Sequence, residues 1–414
     1  MDFLSILNYQ GSKRNLIEFI HKHTEPLLLP GKTILDIFAG TCSVGYSFKR
    51  TNRVYANDCE KYAAVISEAL LSNYNHLGYT CHNIADKIKL DFDQNMSQLH
   101  SYCFYRNLLL QETLLLDQAV ADDVIQFYDS VPTIWNGQAV GDTPHSLYCL
   151  FLQYYSNTYF GVKQAAEIDS LRFAIEASKG TDVFPLMMAS LYYAMKEAVF
   201  AKDGHMAQPL NLKKNFNKLI KQRNKSIYSL FISKFSEFFS DDFIVSNFNN
   251  QVFNMDFEDL LNLPEIQKDV DLIYADPPYT DMQYSRYYHL LNFVTRYQPL
   301  PPTLLGGSYT KGLYTEGRFQ SQLSAKSKSL GAFTHLIDFA YDFKKNLVIS
   351  FAYPVDTLKQ KTDRYVMSID SLQRLCISRF GEKNVLVESC DYTHSNNRNS
   401  ENKAVREYLL ICRT

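Results

Sequence analysis

The chain has 414 residues, a length that usually corresponds to two or three domains. Its 42 Lys and Arg residues nearly balance its 44 Asp and Glu residues, which excludes a globally basic protein that coats nucleic acid. A hydrophobic content of 46% excludes an intrinsically disordered chain and is sufficient for a sizeable core. The 16 glycines are too few for a collagen-like or flexible chain.

The eight cysteines lie far apart, without a Cys-x-x-Cys pair or a Cys/His spacing typical of zinc ligands. This predicts reduced thiols, no disulfide framework and no metal site. No run of 18 apolar residues occurs, and the first residues lack a basic segment followed by a long apolar one. We therefore expect a soluble, intracellular protein without a membrane partner.

Helix and strand patterns alternate over the first 75 residues. We predict an amphipathic helix over Lys13–Leu29, a buried strand over Thr33–Phe38, the start of a helix at Gly45–Lys49, a strand over Arg53–Asn57 and a helix over Glu60–Asn73. Alternation of this kind predicts a parallel sheet covered by helices.

The strand signal fades between His76 and Asp242 and then returns. Within that region the predicted helices are Leu108–Leu116, Ala165–Ala177, Phe184–Phe200 and Leu212–Phe239. After it come predicted strands at Gln251–Asn254, Val270–Ala275 and Asn346–Ala352, helices near Tyr284–Tyr297 and Phe333–Lys345, and an antiparallel pair at Val385–Asp391 and Arg406–Cys412. We predict one α/β domain, residues 1–75 and 243–414, interrupted by a mainly helical domain at 76–242.

Positive charge is concentrated in two stretches that contain no Asp or Glu, Gly204–Ser236 and Gly317–Ile337. The first contains Lys213, Lys214, Lys218, Lys221, Arg223, Lys225 and Lys234, and the second contains Arg318, Lys326 and Lys328. A solvated helix face would explain such stretches, and so would a local binding site for a polyanion.

A glycine-containing loop follows the first predicted strand. Ligands of open α/β sheets bind beyond the carboxyl ends of the strands. Asp36 and the loop that runs to Gly45 would place a carboxylate and backbone amides beside a nucleoside-type ligand. Asp58, roughly 20 residues later, suits the hydroxyls of a ribose. The loop has neither a GxGxxG pattern nor a Walker lysine, so these residues alone do not establish a cofactor site. A dinucleotide-binding fold would give the same arrangement.

The segment Asp276–Tyr279 follows an apolar strand and narrows the choice of ligand and chemistry. Pro277 and Pro278 fix the backbone and remove amide donors, which leaves carbonyl acceptors. Asp276 adds a carboxylate acceptor, and Tyr279 presents a flat ring. Such a set suits an aromatic amine, whose N–H groups are held while its ring is stacked. A plain proline turn at a strand end is the alternative, but the preceding cofactor-type segments favour the functional interpretation.

Together these segments resemble the adenine-specific DNA methyltransferases of the Dam-like class, in which the cofactor half precedes a recognition insertion and the catalytic motif follows it. Tyr9–Lys13 match the N-terminal cofactor motif, Asp36–Gly45 the glycine loop and Asn57-Asp58 the ribose-binding acid. Asp256 is similar to the acid that binds the adenine of the cofactor, and Asp276–Tyr279 match the catalytic motif. The resemblance implies a Rossmann-like, S-adenosylmethionine-dependent methyltransferase fold, with a mostly parallel sheet and an antiparallel C-terminal strand.

Further segments resemble a subgroup of this family less specifically: Tyr159-Phe160-Gly161, Gln164-Ala165, Ile168-Asp169, Leu171-Arg172, Gln283–His289, Arg318–Ser321 and Glu407–Leu409. One departure from the family pattern is Cys42, where many relatives have a second glycine. A small thiol should be tolerated there.

The resemblance implies a direct methyl transfer to the amino nitrogen of a flipped adenine. Asp276 and the Pro277 carbonyl would accept its hydrogen bonds, Pro278 would hold the loop, and Tyr279 would stack on the base. No Pro-Cys dipeptide, the nucleophile motif of cytosine carbon-5 methyltransferases, occurs in the chain. An Asp rather than a Ser before the Pro-Pro-Tyr favours adenine over the amino group of cytosine.

The cofactor implied by the resemblance is S-adenosylmethionine. Lys13 and the amides before it would bind the methionine carboxylate, Asp36 the amino group on the sulfonium side, Asp58 the ribose and Asp256 the adenine, while Phe38 and Ala39 would form apolar walls. The full predicted cofactor set is Tyr9, Gly11, Ser12, Lys13, Asp36, Phe38, Ala39, Gly40, Thr41, Asp58 and Asp256.

The partner implied by the resemblance is double-stranded DNA, with the helical insertion as the target-recognition domain. The predicted DNA contacts are Lys213, Lys214 and Lys218 to phosphates, His205 and Gln208 to bases, Arg286 just after the catalytic motif, and Arg318 in the second acid-free stretch. We expect a monomeric, cytoplasmic protein of bacterial or phage type, compatible with functional pairing with a restriction endonuclease. An RNA adenine methyltransferase and a non-catalytic DNA-binding regulator are the alternatives.

Overall fold

The computed structural model describes residues 4–7, 13–73, 81–137, 147–202, 205–355, 362–392 and 405–414. The chain divides into two compact units. The unit that we call the sheet unit comprises Met1–Asn73, Ile244–Ser285 and Phe319–Thr414. The other, which we call the helical unit, comprises Tyr74–Phe243 and Arg286–Arg318.

A seven-stranded sheet organises the sheet unit. In chain order its strands are β1 (Thr33–Asp36), β2 (Arg53–Asn57), β3 (Gln251–Phe253), β4 (Leu272–Ala275), β5 (Asn346–Pro354), β6 (Val385–Tyr392) and β7 (Val405–Cys412). Their order across the sheet is β3-β2-β1-β4-β5-β7-β6. The first five strands in this order run parallel, and β7 is antiparallel to both β5 and β6. This confirms the predicted Rossmann-like methyltransferase fold with an antiparallel C-terminal strand.

Central strands of the sheet are buried along their whole length, as expected for a sheet with helices on both faces. The helices of the sheet unit are Ile17–Thr24, Ser43–Phe48, Lys61–Leu71, Phe257–Leu261, Pro264–Asp269, Lys326–Asp342 and Ile369–Phe380. The predicted helix over Lys13–Leu29 is instead three pieces, with 3₁₀ turns at Lys13–Leu16 and Glu25–Leu27. Pro26 accounts for the second break, because proline cannot donate a helical hydrogen bond.

The helical unit contains the α-helices Cys81–Ser101, Cys103–Gln118, Ala121–Ser130, Leu150–Tyr155, Val162–Glu176, Val183–Ala198, Phe216–Arg223, Ile227–Glu237 and His289–Arg296. It also has a short hairpin formed by Leu304–Leu305 and Ser308–Tyr309. No helix in the described ranges of the chain is long and apolar enough to cross a membrane.

The placement of residues 286–318 corrects the predicted boundary, which assigned the whole of 243–414 to the α/β domain. The helix His289–Arg296 packs within the helical unit, where the Val294 carbonyl accepts from Arg172 Nε at 3.1 Å and the Thr295 hydroxyl bonds Tyr192 at 2.5 Å. The apolar periodicity of the helix was visible in the sequence. Periodicity alone does not tell which core a helix joins.

Buried acids in the helical unit satisfy the amides at helix N-termini. Asp169 accepts from the amides of Phe151 and Leu152 at 2.9 and 3.0 Å. Glu112 accepts from Val162 and Lys163 at 2.7 and 2.6 Å. The first amides of a helix lack an intrahelical partner, so these carboxylates act as caps contributed by other helices.

Candidate active site

The loop after β1 is shaped by a carboxylate at the end of that strand. Asp36 is buried, and its Oδ2 accepts from the Gly45 amide at 3.0 Å. Gly40 and Cys42 both have left-handed backbone conformations, with φ of 53° and 55°. A Cβ atom on Gly45 would lie 3.0 Å from Cys42 Sγ, so glycine lets the loop close on Asp36. The cysteine that departs from the family pattern therefore fills space beneath the loop.

A second carboxylate, at the end of β2, holds the same loop. The Gly40 amide donates to Asp58 Oδ2 at 2.9 Å, and the Glu60 amide donates to Asp58 Oδ1 at 2.8 Å. The Ala39 amide donates to the Asn57 carbonyl at 2.9 Å, which joins the loop to the strand. Asp36 and Asp58 are thereby held at one edge of the sheet, as their strand-end positions predict.

The third acid, Asp256, follows β3. Its Oδ1 accepts from the Glu258 amide at 3.0 Å and caps the helix Phe257–Leu261. Asn57 Nδ2 reaches the carbonyl of the neighbouring Met255 at 3.2 Å and ties this turn to β2.

The segment Asp276–Tyr279 extends from the carboxyl end of β4. Lys13 Nζ lies 3.0 Å from Asp276 Oδ1 and 2.9 Å from Glu407 Oε1. The lysine and Glu407 are buried, whereas the Asp276 side chain is 21% exposed. Lys13 Nζ also lies 5.8 Å from the centre of the Tyr279 ring. The resemblance assigned Lys13 to a cofactor carboxylate, but in the structure its ammonium lies between two carboxylates of the chain itself.

Tyr279 is braced by other aromatic rings. The Tyr365 ring is nearly parallel to it, with centroids 6.2 Å apart, and Phe351 meets it edge-on at 6.0 Å. The Val366 amide donates to the Tyr279 carbonyl at 3.2 Å, and the Asp281 amide donates to the Arg364 carbonyl at 2.9 Å. The backbone on either side of Tyr365 therefore runs along the segment Asp276–Tyr279 and supports it.

One cavity in the sheet unit brings these segments together. Its acidic and basic wall is formed by Lys13, Asp36, Asp58, Glu60, Asp256 and Asp276. Its other walls are formed by Phe38, Ala39, Gly40, Thr41, Met255, Phe257, Pro277, Pro278, Tyr279, Gln283, Phe319 and Gln320, among others.

Burial of charge dominates the electrostatics of the cavity. Burial raises the pKa of Asp36 to about 7, although the hydrogen bond from the Gly45 amide opposes the rise. Burial also raises the pKa of Asp276 to about 7, although Lys13 opposes the rise. Burial disfavours the Lys13 ammonium as well, but the charges of Asp276 and Glu407 outweigh it and hold the pKa of Lys13 well above its ordinary value.

The structure brings together Lys13, Asp36, Phe38, Ala39, Gly40, Thr41, Asp58, Asp256 and Asp276–Tyr279 of the predicted site. Tyr9, Gly11 and Ser12 lie outside the described residues. The predicted DNA contacts are all in the helical unit. Among them Gln208, Lys213, Lys214, Lys218 and Arg286 are exposed, whereas His205 and Arg318 are half-buried.

The side chains of Lys218 and Arg318, both predicted DNA contacts, donate to backbone carbonyls of the helical unit. Lys218 Nζ donates to the Ala201 carbonyl at 3.1 Å, although the residue is exposed. Arg318 Nη1 donates to the Thr315 carbonyl at 2.8 Å, and its guanidinium lies 4.5 Å from the Tyr314 ring centre.

Glu407 and Tyr365 were not assigned to the site from the sequence, although Glu407 lies in the family-like segment Glu407–Leu409. Glu407 is fully buried in β7, where the alternate residues Val405 and Leu409 are apolar. A charged residue at an apolar position of a strand is a signal that could have singled it out. Tyr365 had no such signal, because its contact with Tyr279 depends on tertiary structure.

A mostly parallel sheet, with a proline-containing segment after β4 and acids at the ends of β1 and β2, is typical of Rossmann-like methyltransferases. The model of the D12 class N6 adenine-specific DNA methyltransferase family matches residues 9–301, and the chain belongs to this family. Methyltransferases in general use S-adenosylmethionine as the methyl donor.

Curated relatives agree with this family. Modification methylase LlaI of Lactococcus lactis subsp. lactis is 25% identical over 98% of this chain and 54% of its own length. Modification methylase StsI of Streptococcus sanguinis is 26% identical over 80% of this chain and 42% of its own length. Type II methyltransferase M.NlaIII of Neisseria lactamica is 25% identical over 81% of this chain and 82% of its own length. The chain thus spans about half the length of the first two relatives.

Proposed function

We propose that this chain is a site-specific DNA methyltransferase that transfers a methyl group from S-adenosylmethionine to the exocyclic amino nitrogen of a flipped adenine. The observation that carries the proposal is the position of Asp276–Tyr279 at one cavity with Asp36 and Asp58. Membership of the D12 family supports adenine as the target base.

The chemistry of the cavity fits the cofactor. S-adenosylmethionine combines a cationic sulfonium and an ammonium with a flat nucleoside, and it supplies an activated methyl group when bound. Asp36 and Asp58 offer carboxylates to the cationic and hydroxyl groups, while Asp256 offers one to the adenine. Phe38 and Phe257 provide apolar walls for the flat ring.

The catalytic segment holds and orients the target base. A base within a duplex hides its amino group, so the nucleotide must leave the stack at a cost of a few kcal/mol. Tyr279, whose ring is braced by Tyr365, stacks on the flipped base and recovers about 1–3 kcal/mol. The Asp276 carboxylate and the Pro277 carbonyl accept the two N–H groups and orient the amino lone pair toward the methyl group.

The amino nitrogen must release one proton after it gains the methyl group. Asp276 Oδ1 is engaged by Lys13 at 3.0 Å, and the side chain keeps 21% of its surface accessible. With its pKa raised by burial to about 7, Asp276 is a stronger proton acceptor than an ordinary carboxylate. It accepts this proton and passes it to solvent.

The helical unit acts as the target-recognition domain, and its partner is double-stranded DNA. Lys213 and Lys214 are exposed beside Lys218, in a stretch without acids, and they contact phosphates. Arg286 acts on Arg318 as a like charge and lowers its pKa, after the larger effect of burial. Two neighbouring guanidiniums suit the phosphate backbone or a guanine edge.

The relatives are modification methylases by name, which supports a place for this chain in a restriction-modification system with a partner endonuclease. Such an enzyme methylates the sites that the endonuclease would otherwise cut.

Transfer of tritium from labelled S-adenosylmethionine tests the function. The purified chain is incubated with duplex DNA, single-stranded DNA and ribosomal RNA, and the labelled nucleoside is identified after digestion. We expect labelled N6-methyladenine in duplex DNA. Label confined to RNA would make the chain an RNA methyltransferase, and labelled N4-methylcytosine would contradict adenine as the target. An absence of label in every substrate would contradict the activity.

A further inference from the structure

Lys13 lies between two carboxylates, the buried Glu407 and the partly exposed Asp276. Its ammonium lies 3.0 Å from Asp276 Oδ1 and 2.9 Å from Glu407 Oε1. Lys13 is 4% exposed and Glu407 is 0% exposed. Because charged groups are rarely buried to this extent unless they are paired, the arrangement depends on all three residues.

Glu407 belongs to the framework of the sheet. On β7 it is registered with Ala352 of β5 and with Cys390 of β6. Ser350 Oγ on β5 donates to Glu407 Oε1 at 2.6 Å. The carboxylate is therefore anchored by two interior strands, and the Lys13 ammonium links it to Asp276.

The three groups do not balance in charge. One ammonium is shared by two carboxylates, so the ionised cluster has a net charge of −1. The Lys13 Nζ atom that contacts Asp276 is fixed in place by the buried Glu407. Because this ammonium holds the Asp276 carboxylate, the carboxylate loses less orientational freedom when a substrate amine binds to it.

We propose that Glu407 is a positioning residue for methyl transfer, which acts through Lys13 to fix the Asp276 carboxylate and to keep its surroundings negative. The inference rests on the proposed role of Asp276 as the acceptor for the adenine amino group. Glu407 is not among the residues that line the cavity, and it acts on Asp276 through its bond to Lys13 and through its negative charge.

Removal of the Glu407 charge has a predictable electrostatic sign. The Glu407 carboxylate raises the pKa of Asp276, after the larger effect of burial and against the effect of Lys13. Glu407→Gln would therefore lower the pKa of Asp276. Among the described residues, the charged and titratable groups that interact with Asp276 or with the Lys13 ammonium include Lys13, Asp36, Tyr274, Tyr279, Cys390 and Glu407.

The experiment compares single-turnover methyl transfer to duplex DNA by the full chain and its Glu407→Gln variant between pH 5 and 9. We expect a rate on the order of tenfold lower, typical of the loss of a residue that orients a ligand. We also expect the acid limb of the profile to move to lower pH. Binding of S-adenosylhomocysteine should match that of the unsubstituted chain.

A matched control is Glu388→Gln, the same substitution at a half-buried position of β6, and it should leave the rate and the profile unchanged. Because Glu407 acts through Lys13, adding Glu407→Gln to Lys13→Met should reduce the rate little further. Glu407→Asp retains the charge, and its acid limb should coincide with that of the unsubstituted chain. Should Glu407→Gln not fold, an unchanged rate for Glu407→Asp would overturn the proposal.

An unchanged rate and acid limb in Glu407→Gln would overturn the proposal. A loss of transfer that is the same at every pH, together with an equal loss of S-adenosylhomocysteine binding, would also overturn the proposal. Such a result would indicate general damage to the fold. Asp276→Ala separates this inference from the proposed function. Turnover by Asp276→Ala would refute the catalytic assignment itself, whereas its inactivity beside an unaffected Glu407→Gln would refute only the positioning role.

Discussion

Both units of this protein bury carboxylates, but those of Asp169, Asp36 and Asp276 differ in how many hydrogen bonds they accept and in whether they line a cavity. In the helical unit Asp169 accepts from two backbone amides and from the Tyr297 hydroxyl, at 2.7 to 3.0 Å. In the sheet unit Asp36 accepts from one amide, and Asp276 is held by the side chain of Lys13. Asp36 and Asp276 also line a cavity.

The pKa alone does not separate the two kinds of acid. Burial raises the pKa to about 7 for Asp36, Asp276 and Asp169 alike. A perturbed pKa is therefore only a probabilistic sign of function. The number and kind of partners distinguish these three acids, because two amides and a hydroxyl bond Asp169, whereas Asp36 accepts from one amide and Asp276 is paired with Lys13.

The largest expected effect that distinguishes the two units is a gain in stability of the Asp36→Asn variant. The raised pKa of Asp36, about 7 against an ordinary 3.8, means that the folded state disfavours the ionised form. The contribution of the Asp36 carboxyl to the free energy of unfolding is therefore fully present below about pH 3.8 and is lost as the pH rises through 7. At pH 8 the variant should gain at most about 4 kcal/mol in the free energy of unfolding, and near pH 4 almost nothing.

Urea denaturation at the two pH values measures this difference, with the exposed Asp259→Asn as the control. We also expect Asp36→Asn to lose methyl transfer, as is common where a strained site serves activity. Equal or lower stability of the variant at pH 8 would break the distinction between the units.

The opposite outcome is expected for Asp169→Asn in the helical unit. The carboxylate accepts three hydrogen bonds, and an amide nitrogen in place of one oxygen would direct a donor at another donor. A buried group left without its partner costs about 1–3 kcal/mol in the free energy of unfolding. Thermal or urea denaturation tests this, with the exposed Asp117→Asn as the control. Stabilisation by Asp169→Asn would contradict its role as a helix cap.

A loss of stacking is expected for Tyr279→Ala. Stacking on a base contributes about 1–3 kcal/mol, so kcat/KM for duplex DNA should fall by roughly 10-fold to 100-fold. Tyr279→Phe retains a flat ring and serves as the matched control with nearly full activity. If both variants were equally impaired, the hydroxyl rather than the ring would be the essential part of the residue.

The smallest effect concerns the exposed lysines of the helical unit. Replacement of Lys213, Lys214 and Lys218 by Ala should weaken DNA binding and flatten its dependence on salt by about 2 to 3 in log–log slope. Lys179→Ala, at an exposed lysine paired with Glu176, should leave the slope unchanged. An unchanged slope in the triple variant would make this stretch an ordinary solvated surface.

Strand-end motifs made much of the sheet unit predictable. Acids at the ends of β1, β2 and β4 meet because parallel strands share one edge, and β2 lies at the predicted Arg53–Asn57. The order of these motifs along the sequence was sufficient to predict the family and many of the residues that line the cavity. Tyr365 and Glu407 could not be placed in the same way, since their contacts depend on how distant segments pack.

The helical unit was less predictable because its family-like residues serve the architecture. Gly161 has no room for a Cβ atom, which would lie 2.3 Å from Glu112 Oε1. Gln164 Nε2 donates to the carbonyls of Gln222 and Lys225 at 2.7 and 3.0 Å. These residues support helix ends, so their pattern reports the fold of the unit and not which bases it contacts.

The most direct test of the central claim is the separation of cofactor binding from methyl transfer in Asp276→Ala. Calorimetry with S-adenosylmethionine and tritium transfer to duplex DNA are measured on the same preparation, with the exposed Asp281→Ala as the control. We predict that Asp276→Ala binds the cofactor within a few-fold of the unsubstituted chain while transfer is abolished, and that Asp281→Ala remains active. Turnover by Asp276→Ala would contradict the account.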